Sequence, residues 1–109
     1  MAVKLTILGS GSAGNASYVE TDETRVLVDC GFSPRQIRQR LATIGRAPEN
    51  LTAILITHEH SDHIAGLVGI AEKLRIPVYC NRATKDEIVR TLEVQLDFRL
   101  FTAGGNFDV

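Results

Sequence analysis

The sequence feature that most constrains this chain is the run Thr57-His58-Glu59-His60-Ser61-Asp62-His63, which holds all three histidines of the protein within six positions. On an ordinary loop, protonated imidazoles this close together would repel one another. Neutral imidazole and carboxylate are instead ligands that suit zinc, manganese or iron. The run therefore predicts a metal site.

The spacing within the run indicates how two ions would be bound. In an extended segment, residues 58, 60 and 62 project to the same side. The apolar residues from Ile64 onward predict a helix, so His63 leaves in another direction and serves a second ion. Two adjacent ions imply hydrolysis. The candidate metal ligands are His58, His60, Asp62 and His63.

Composition limits the other functional classes. A chain of 109 residues with a formal net charge of −1 forms one domain and has no overall basic field for nucleic acid or membrane, although a local basic patch is not excluded. No apolar stretch reaches membrane-spanning length and no signal-peptide layout is present, which favours a cytoplasmic protein. Cys30 and Cys80 each adjoin an apolar run outside any Cys-x-x-Cys pair, and we interpret them as buried free thiols rather than ligands.

The hydrophobic pattern predicts an opening of three strands followed by alternating helices and strands. Ser33 and Pro34 begin the first helix and Gly45 ends it. A second helix carries Ile64 to Leu74, and Thr84 caps a third with Glu87 in a capping box. The arginines of the first helix form a solvated face, with a phosphate-binding patch as the alternative. The predicted strands are Val3 to Leu8, Ala16 to Thr21, Arg25 to Asp29, Leu51 to Thr57, Pro77 to Cys80, Phe98 to Phe101, and a last one from Phe107 after a turn at 104–106.

The glycines between the first two strands match a dinucleotide-binding fingerprint. Gly9-Ser10-Gly11-Ser12-Ala13-Gly14 follows a strand, and Asp29 lies about 20 residues further on. The fingerprint needs a helix at these glycines, whereas residues 16–29 predict a hairpin. The glycines then serve either a tight turn or a close approach of the loop backbone to a ligand or metal.

Several segments together resemble a known family. His58-x-His60-x-Asp62-His63 after an apolar strand, with Ile7-Leu8-Gly9-Ser10-Gly11-Ser12-Ala13-Gly14-Asn15 and Val26-Leu27-Val28-Asp29-Cys30-Gly31, resembles metallo-β-lactamase-fold hydrolases, most closely the small bacterial WalJ/YycJ type. Those proteins are regarded as metal-dependent nucleases. The resemblance implies an α/β fold: the N-terminal half of an αββα sandwich, with a mixed β-sheet and helices on one face.

The resemblance also implies roles for single residues. His58 and His60 match ligands of the first metal, Asp62 and His63 match ligands of the second, and Asp29 matches a carboxylate that supports the metal loop. A turn-forming aspartate is the alternative for Asp29. The family completes its site with a later histidine, aspartate and histidine, and this chain has no histidine after His63. We therefore expect residues 1–109 to be a partial domain that lacks the C-terminal half.

The expected activity of the complete domain is metal-dependent hydrolysis of phosphodiester bonds in nucleic acid. A metal-bound hydroxide would attack phosphorus, with Asp62 as ligand and as the orienter of that hydroxide. The expected cofactors are two divalent ions, zinc first and manganese second. Two alternatives remain open: a thioesterase or lactonase of the glyoxalase II kind, and a catalytically silent metal-binding fragment.

The apolar strands carry one further expectation. Nearly continuous apolar strands are typical of a sheet buried on both faces, while the predicted helices cover only one. The uncovered face and edge predict self-association. We expect a homodimer that joins sheet face to sheet face about a two-fold axis.

Overall fold

The computed structural model describes residues 2–58, 60–102 and 105, apart from the side chains of residues 61 and 62. Within this part of the chain, six strands form one mixed sheet in the order β1-β2-β3-β4-β5-β6. The strands are β1 (Lys4–Gly9), β2 (Ala16–Glu20), β3 (Arg25–Val28), β4 (Ala53–Leu55), β5 (Val78–Cys80) and β6 (Phe98–Leu100). Residue 105 is the one described residue of the turn predicted at 104–106, and the strand predicted from Phe107 lies outside the described residues.

The sheet changes from antiparallel to parallel at β3. Strands β1, β2 and β3 are antiparallel neighbours, and β3, β4, β5 and β6 are parallel neighbours. Antiparallel strands tolerate short connections, whereas parallel strands require crossovers, which here contain helices. The hairpin predicted for residues 16–29 is confirmed, and no helix opens at the glycines as a dinucleotide-binding unit would require.

The first helix, α1 (Pro34–Ala42), begins as predicted. The Ser33 hydroxyl accepts from the backbone N–H of Gln36, and the Gln36 side chain accepts from the backbone N–H of Ser33, which forms a capping box. Gly45 follows the helix in a left-handed conformation with φ of 72°, which glycine adopts without steric cost. Among the arginines of α1, Arg38 pairs with Glu49.

The segment predicted as one helix over residues 64–74 is divided. A short helix α2 (Ser61–Ile64) is followed by a turn at Gly66 and a π-helical segment (Val68–Glu72). A Cβ atom at Gly66 would overlap the carbonyl oxygen of Phe32, and one at Gly69 would overlap the Pro34 ring. Close packing against the start of α1 therefore interrupts the regular helix, and such π-turns are typical insertions in helical segments.

The third helix, α3 (Arg82–Leu92), begins earlier than predicted. The Asn81 side chain caps it by accepting from the backbone N–H of Thr84 at 2.8 Å. The prediction that Thr84 is the cap is therefore wrong, because asparagine is at least as good a cap and stands three residues earlier. Thr84 is instead buried in the first turn.

Helices cover the inner face of the sheet. Inward-facing strand side chains pack with apolar residues of the helical segments in one hydrophobic cluster. Its buried members include Leu8, Tyr18, Leu27, Ile54 and Val78 from the strands and Ile37, Leu41, Leu67, Ile70 and Ile88 from the helical segments. The predicted mixed sheet with helices on one face is confirmed. No helix in the described residues is long and apolar enough to cross a membrane.

The outer face of the sheet is apolar and partly open. Strand register places two rows of side chains across this face, since residues alternate between faces. One row is Leu5, Val19, Val26 and Ala53; the other is Ile7, Ser17, Val28, Leu55, Tyr79 and Arg99. At the β1 end, Leu5 is 64% exposed and Ile7 is 59% exposed.

A polar cluster at the opposite end of the sheet from the histidine run makes folding sensitive to acid. Glu20 accepts from both Arg46 Nε at 2.6 Å and Arg46 Nη2 at 2.9 Å, and from the Tyr18 hydroxyl at 2.6 Å. These hydrogen bonds, with the Arg46 bonds the largest cause, lower the pKa of Glu20 from 4.5 to about 2. A carboxyl group with a lowered folded-state pKa stabilises the fold above its unfolded pKa and loses that contribution as the pH falls.

We therefore predict that Glu20→Gln removes part of the acid sensitivity. Between pH 4.5 and 2, the free energy of unfolding of the wild type should fall relative to that of the variant, since the unfolded chain binds a proton that the folded chain resists. Urea unfolding at several pH values measures this difference. Glu23→Gln, in the exposed turn of the same hairpin, is the matched control; equal pH profiles for wild type and Glu20→Gln would contradict the prediction.

Candidate metal centre

The candidate metal centre lies beyond the carboxyl ends of β3 and β4. These strands are parallel and paired, so the residues that follow them meet at one edge of the sheet. Asp29 directly follows β3, and Thr57 and His58 follow β4 after Ile56. Asp29 has φ of 63°, a left-handed conformation that aspartate tolerates better than most residues. The fold thus brings together two segments 28 positions apart.

The Asp29 carboxylate is the centre of the hydrogen-bond network. Its Oδ1 accepts from the backbone N–H of Thr57 at 2.8 Å, and its Oδ2 accepts from the Thr57 hydroxyl at 2.7 Å. The same Oδ2 lies 2.8 Å from His63 Nδ1. Asp29 is only 6% exposed, and a buried carboxylate is costly unless it is hydrogen-bonded. Three donors from the histidine segment satisfy it.

These contacts fix the protonation pattern of two imidazoles. An ionised carboxylate only accepts hydrogen bonds, so His63 carries a proton on Nδ1. The Thr57 hydroxyl has one hydrogen, which it donates to Asp29, and it must therefore accept from His58 Nδ1 at 3.0 Å. When these rings are neutral, as metal binding requires, Nε2 of His58 and of His63 holds the lone pair. A histidine binds metal through a ring nitrogen that carries a lone pair, while its other ring nitrogen normally donates a hydrogen bond. The rings of His58 and His63 have this arrangement.

The three imidazoles lie close together. Ring centroids are 4.9 Å apart for His58 and His63, and 6.0 Å apart for His58 and His60. With Zn–N bonds of about 2.0–2.1 Å, two rings on one ion would have centroids roughly 5–6 Å apart. Among the described side chains, no three His, Cys, Asp or Glu groups are already arranged around one ion position. The donor types, imidazole with a nearby carboxylate, fit a divalent ion.

One expected geometry within the run is wrong. Helix α2 begins at Ser61, so Asp62 lies on a helix and does not continue an extended segment with His58 and His60. The alternation over 58, 60 and 62 therefore does not apply, because the chain has already turned. His63 lies on α2, as the turn into a helix predicted. The side chain of Asp62 is outside the described part, so its ligand and catalytic roles remain predictions.

Helix α2 is held against the end of β3 by backbone hydrogen bonds. The Cys30 N–H donates to the His63 carbonyl at 2.7 Å, and the Gly66 N–H donates to the Cys30 carbonyl at 2.9 Å. These bonds position His63 independently of its ring contacts. Cys30 itself is fully buried, and burial raises the pKa of its thiol to about 12. Cys80 is also a buried free thiol, so the prediction that both cysteines are buried and unpaired with each other is confirmed.

The glycine loop, residues 9–15, lies beside His63 and packs against the Phe32 ring. A Cβ at Gly9 would overlap the Phe32 ring, and one at Gly14 would lie 2.6 Å from its Cε1. The Arg40 guanidinium lies 3.9 Å from the centroid of the same ring and donates to the Leu8 carbonyl at 2.6 Å. Close packing thus explains two of the three glycines, and Arg40 contributes to this support instead of to a solvated face.

Two residues of the site were missed from the sequence. Thr57 orients His58 and binds Asp29. The signal for it in the sequence was that Thr57 directly precedes the first of the three histidines. Asn15 has its Nδ2 3.5 Å from His63 Nε2. Asn15 lies 48 positions from His63 in the sequence. The glycine pattern before Asn15 predicted a turn, but it did not indicate that the Asn15 side chain would contact His63.

Comparison with known proteins points to one superfamily. The sequence profile of the Metallo-beta-lactamase superfamily matches residues 9–106. The chain is 52% identical over 81 residues to "Exodeoxyribonuclease WalJ" of Streptococcus pneumoniae serotype 2, covering 74% of this chain and 30% of that protein. It is 43% identical over 84 residues to "Exodeoxyribonuclease YycJ" of Bacillus anthracis, covering 77% and 32%. The chain thus spans about a third of the length of these relatives.

A solved structure with low sequence identity shows the same fold. The Rm3 metallo-beta-lactamase matches with a TM-score of 0.76 at 22% identity, over 96% of this chain and 45% of that one. A likeness at this identity establishes the fold alone. With the profile match over most of the sequence, and in agreement with the resemblance seen in the histidine run, the chain belongs to the metallo-β-lactamase superfamily.

Proposed function

We propose that this chain carries the metal-binding part of a hydrolase that cleaves phosphodiester bonds in nucleic acid. The observation that carries the proposal is the Asp29–Thr57 network, which leaves Nε2 of His58 and of His63 as lone-pair nitrogens. The 52% identity to an exodeoxyribonuclease supports nucleic acid as the substrate class.

The proposed ligands are those that the sequence indicated: His58, His60, Asp62 and His63. Bound divalent ions, with zinc first and manganese second, would supply a Lewis acid and a water of lowered pKa. The chain's own residues have distinct tasks. Asp29 holds the His63 ring through Nδ1, Thr57 holds the His58 ring, and Asp62 is proposed as ligand and orienter of the attacking group.

Hydrolysis assays on the purified chain distinguish the candidate reactions. End-labelled linear DNA and a thioester are each incubated with zinc or manganese, with and without a chelator. Metal-dependent release of nucleotides supports the proposal. Thioester cleavage without DNA cleavage would favour the glyoxalase II-like alternative, and tight zinc binding without either activity would favour the silent metal-binding fragment.

The proposal predicts that His58 and His60 are required for metal binding. Replacing both with alanine should abolish zinc binding, because both cysteines are buried and cannot compensate. Native mass spectrometry of the desalted protein gives the stoichiometry. Asp97→Ala removes a carboxylate paired with Arg99, and it is the control for a general loss of charge. Unchanged zinc stoichiometry in the double variant would refute the ligand assignment.

A second prediction concerns the residues that orient the ligands. Thr57→Val keeps the side-chain shape but loses the hydroxyl that bridges Asp29 and His58, and Asp29→Ala removes the carboxylate. Each should weaken zinc affinity by roughly 10–100-fold, the usual effect of removing a group that orients a ligand. Competition with a chromophoric chelator measures the affinity. Thr57→Ser retains the hydroxyl and should bind like the wild type; equal loss in the serine and valine variants would contradict the assignment.

We also propose that the outer sheet face joins a second copy of this chain. The face presents two rows of mainly apolar side chains, with Leu5 and Ile7 more than half exposed. Contiguous exposed apolar patches on soluble proteins mark interaction sites. An identical face can meet itself about a two-fold axis, and Arg99 is the one charged residue in the rows.

The dimer proposal predicts that a charge on this face disrupts association. The wild type should be a dimer by light scattering at micromolar concentration, with an interface above about 1,000 Å². Ile7→Lys should shift it to monomer, because the buried charge would have no partner. Val89→Lys, at an exposed apolar position on α3, is the control. A stable wild-type monomer would overturn the proposal.

A further inference from the structure

Asn15 connects the glycine loop to the candidate metal centre. Its Oδ1 accepts from the Gly11 N–H at 3.1 Å, and its Nδ2 donates to the Gly11 carbonyl at 2.9 Å. The same Nδ2 lies 3.5 Å from His63 Nε2. One side-chain amide therefore contacts both the tip of the loop and a candidate ligand. Its backbone carbonyl is also held, by the Gly31 N–H at 2.9 Å.

The bonds to Gly11 hold a part of the loop that packing leaves open. Gly9 and Gly14 are constrained by the Phe32 ring, whereas a Cβ at Gly11 would meet nothing within 4 Å. Gly11 has φ of 141°, a conformation that residues with side chains rarely adopt. The pair of hydrogen bonds from Asn15 stabilises this conformation, so the position of the loop tip depends on Asn15.

The contact with His63 lies on the ring nitrogen that Asp29 leaves as an acceptor. The Asp29 carboxylate accepts a hydrogen bond from the Nδ1–H of His63, and the Asn15 amide can only donate toward Nε2 through its Nδ2. The imidazole is therefore approached on both nitrogens, by a carboxylate on one side and an amide on the other. Nε2 is also the atom that would bind an ion.

We propose that Asn15 is a positioning residue that couples the glycine loop to His63 and thereby sets the metal affinity of the cluster. The metal part of this inference rests on the proposed function, whereas the coupling rests on the contacts alone. An asparagine that served only the turn would bond to Gly11 without approaching a ring 48 positions away. Because the Asn15 amide contacts both groups, a displacement of Gly11 also moves this amide relative to His63 Nε2.

The test compares Asn15→Ala with Ser12→Ala, which alters an exposed side chain of the same loop. The first readout is the imidazole ¹⁵N spectrum of His63 in the metal-free protein, which reports the tautomer and the surroundings of Nε2. We expect the Nε2 resonance to move in Asn15→Ala and to stay in place in Ser12→Ala. The second readout is zinc affinity by chelator competition: because the Asn15 amide donates toward the nitrogen that would bind the ion, zinc must displace it, so the affinity is expected to rise in Asn15→Ala and to stay unchanged in Ser12→Ala.

Gly11→Ala tests the coupling from the other end of the contact. The new methyl group has open space, so the variant should fold, but its conformation at φ of 141° is unfavourable. The proposal requires the His63 Nε2 resonance to move in this variant too. Unmoved Nε2 resonances in both Asn15→Ala and Gly11→Ala would overturn it. If the wild type binds no zinc, the proposed function fails, while the metal-free spectra still decide the coupling.

Discussion

The buried carboxylate of Asp29 is the interaction on which the rest of the candidate centre depends. At 6% exposure it requires hydrogen-bond donors, and all three come from the segment that carries the histidines. Satisfying this carboxylate therefore fixes the loop backbone at Thr57 and the ring of His63 at once. Through the Thr57 hydroxyl, the same group determines which nitrogen of His58 carries the proton. One electrostatic requirement thus orders two imidazoles.

The sheet places Asp29 where it can accept these hydrogen bonds. Parallel pairing of β3 with β4 places the ends of both strands at the same edge, and Leu27 and Ile54 anchor these strands in the inner-face core. Backbone bonds between Cys30, His63 and Gly66 then attach α2 to the extension of β3. Because buried backbone groups must be paired, these bonds also fix the C-terminal end of α2 beside β3. The histidines are consequently held from two sides, by a strand and by a helix.

The chain belongs to the metallo-β-lactamase superfamily. The chain carries its histidine run at one edge of the sheet, and it spans about a third of the length of its exodeoxyribonuclease relatives. Its inner sheet face is covered by helices, whereas its outer face presents apolar rows that begin at Leu5 and Ile7. The proposed activity and the proposed association therefore involve different parts of the molecule. The first would depend on the histidine run at one edge of the sheet, and the second on burial of its outer face.

The sequence by itself determined the features that are local. Three histidines within six positions, the strand and hairpin pattern of the first 29 residues, and the Ser33-Pro34 helix start all follow from short-range periodicity and capping. Tertiary structure decided what distant segments do to one another. Glycines packed against Phe32 and Pro34 divided the predicted second helix, and the turn at Ser61 moved Asp62 out of the extended run. Contacts of Asp29 with Thr57 and of Asn15 with His63 span 28 and 48 positions. Only strand pairing and core packing bring such residues together, so their chemistry could not be derived from their neighbours in sequence.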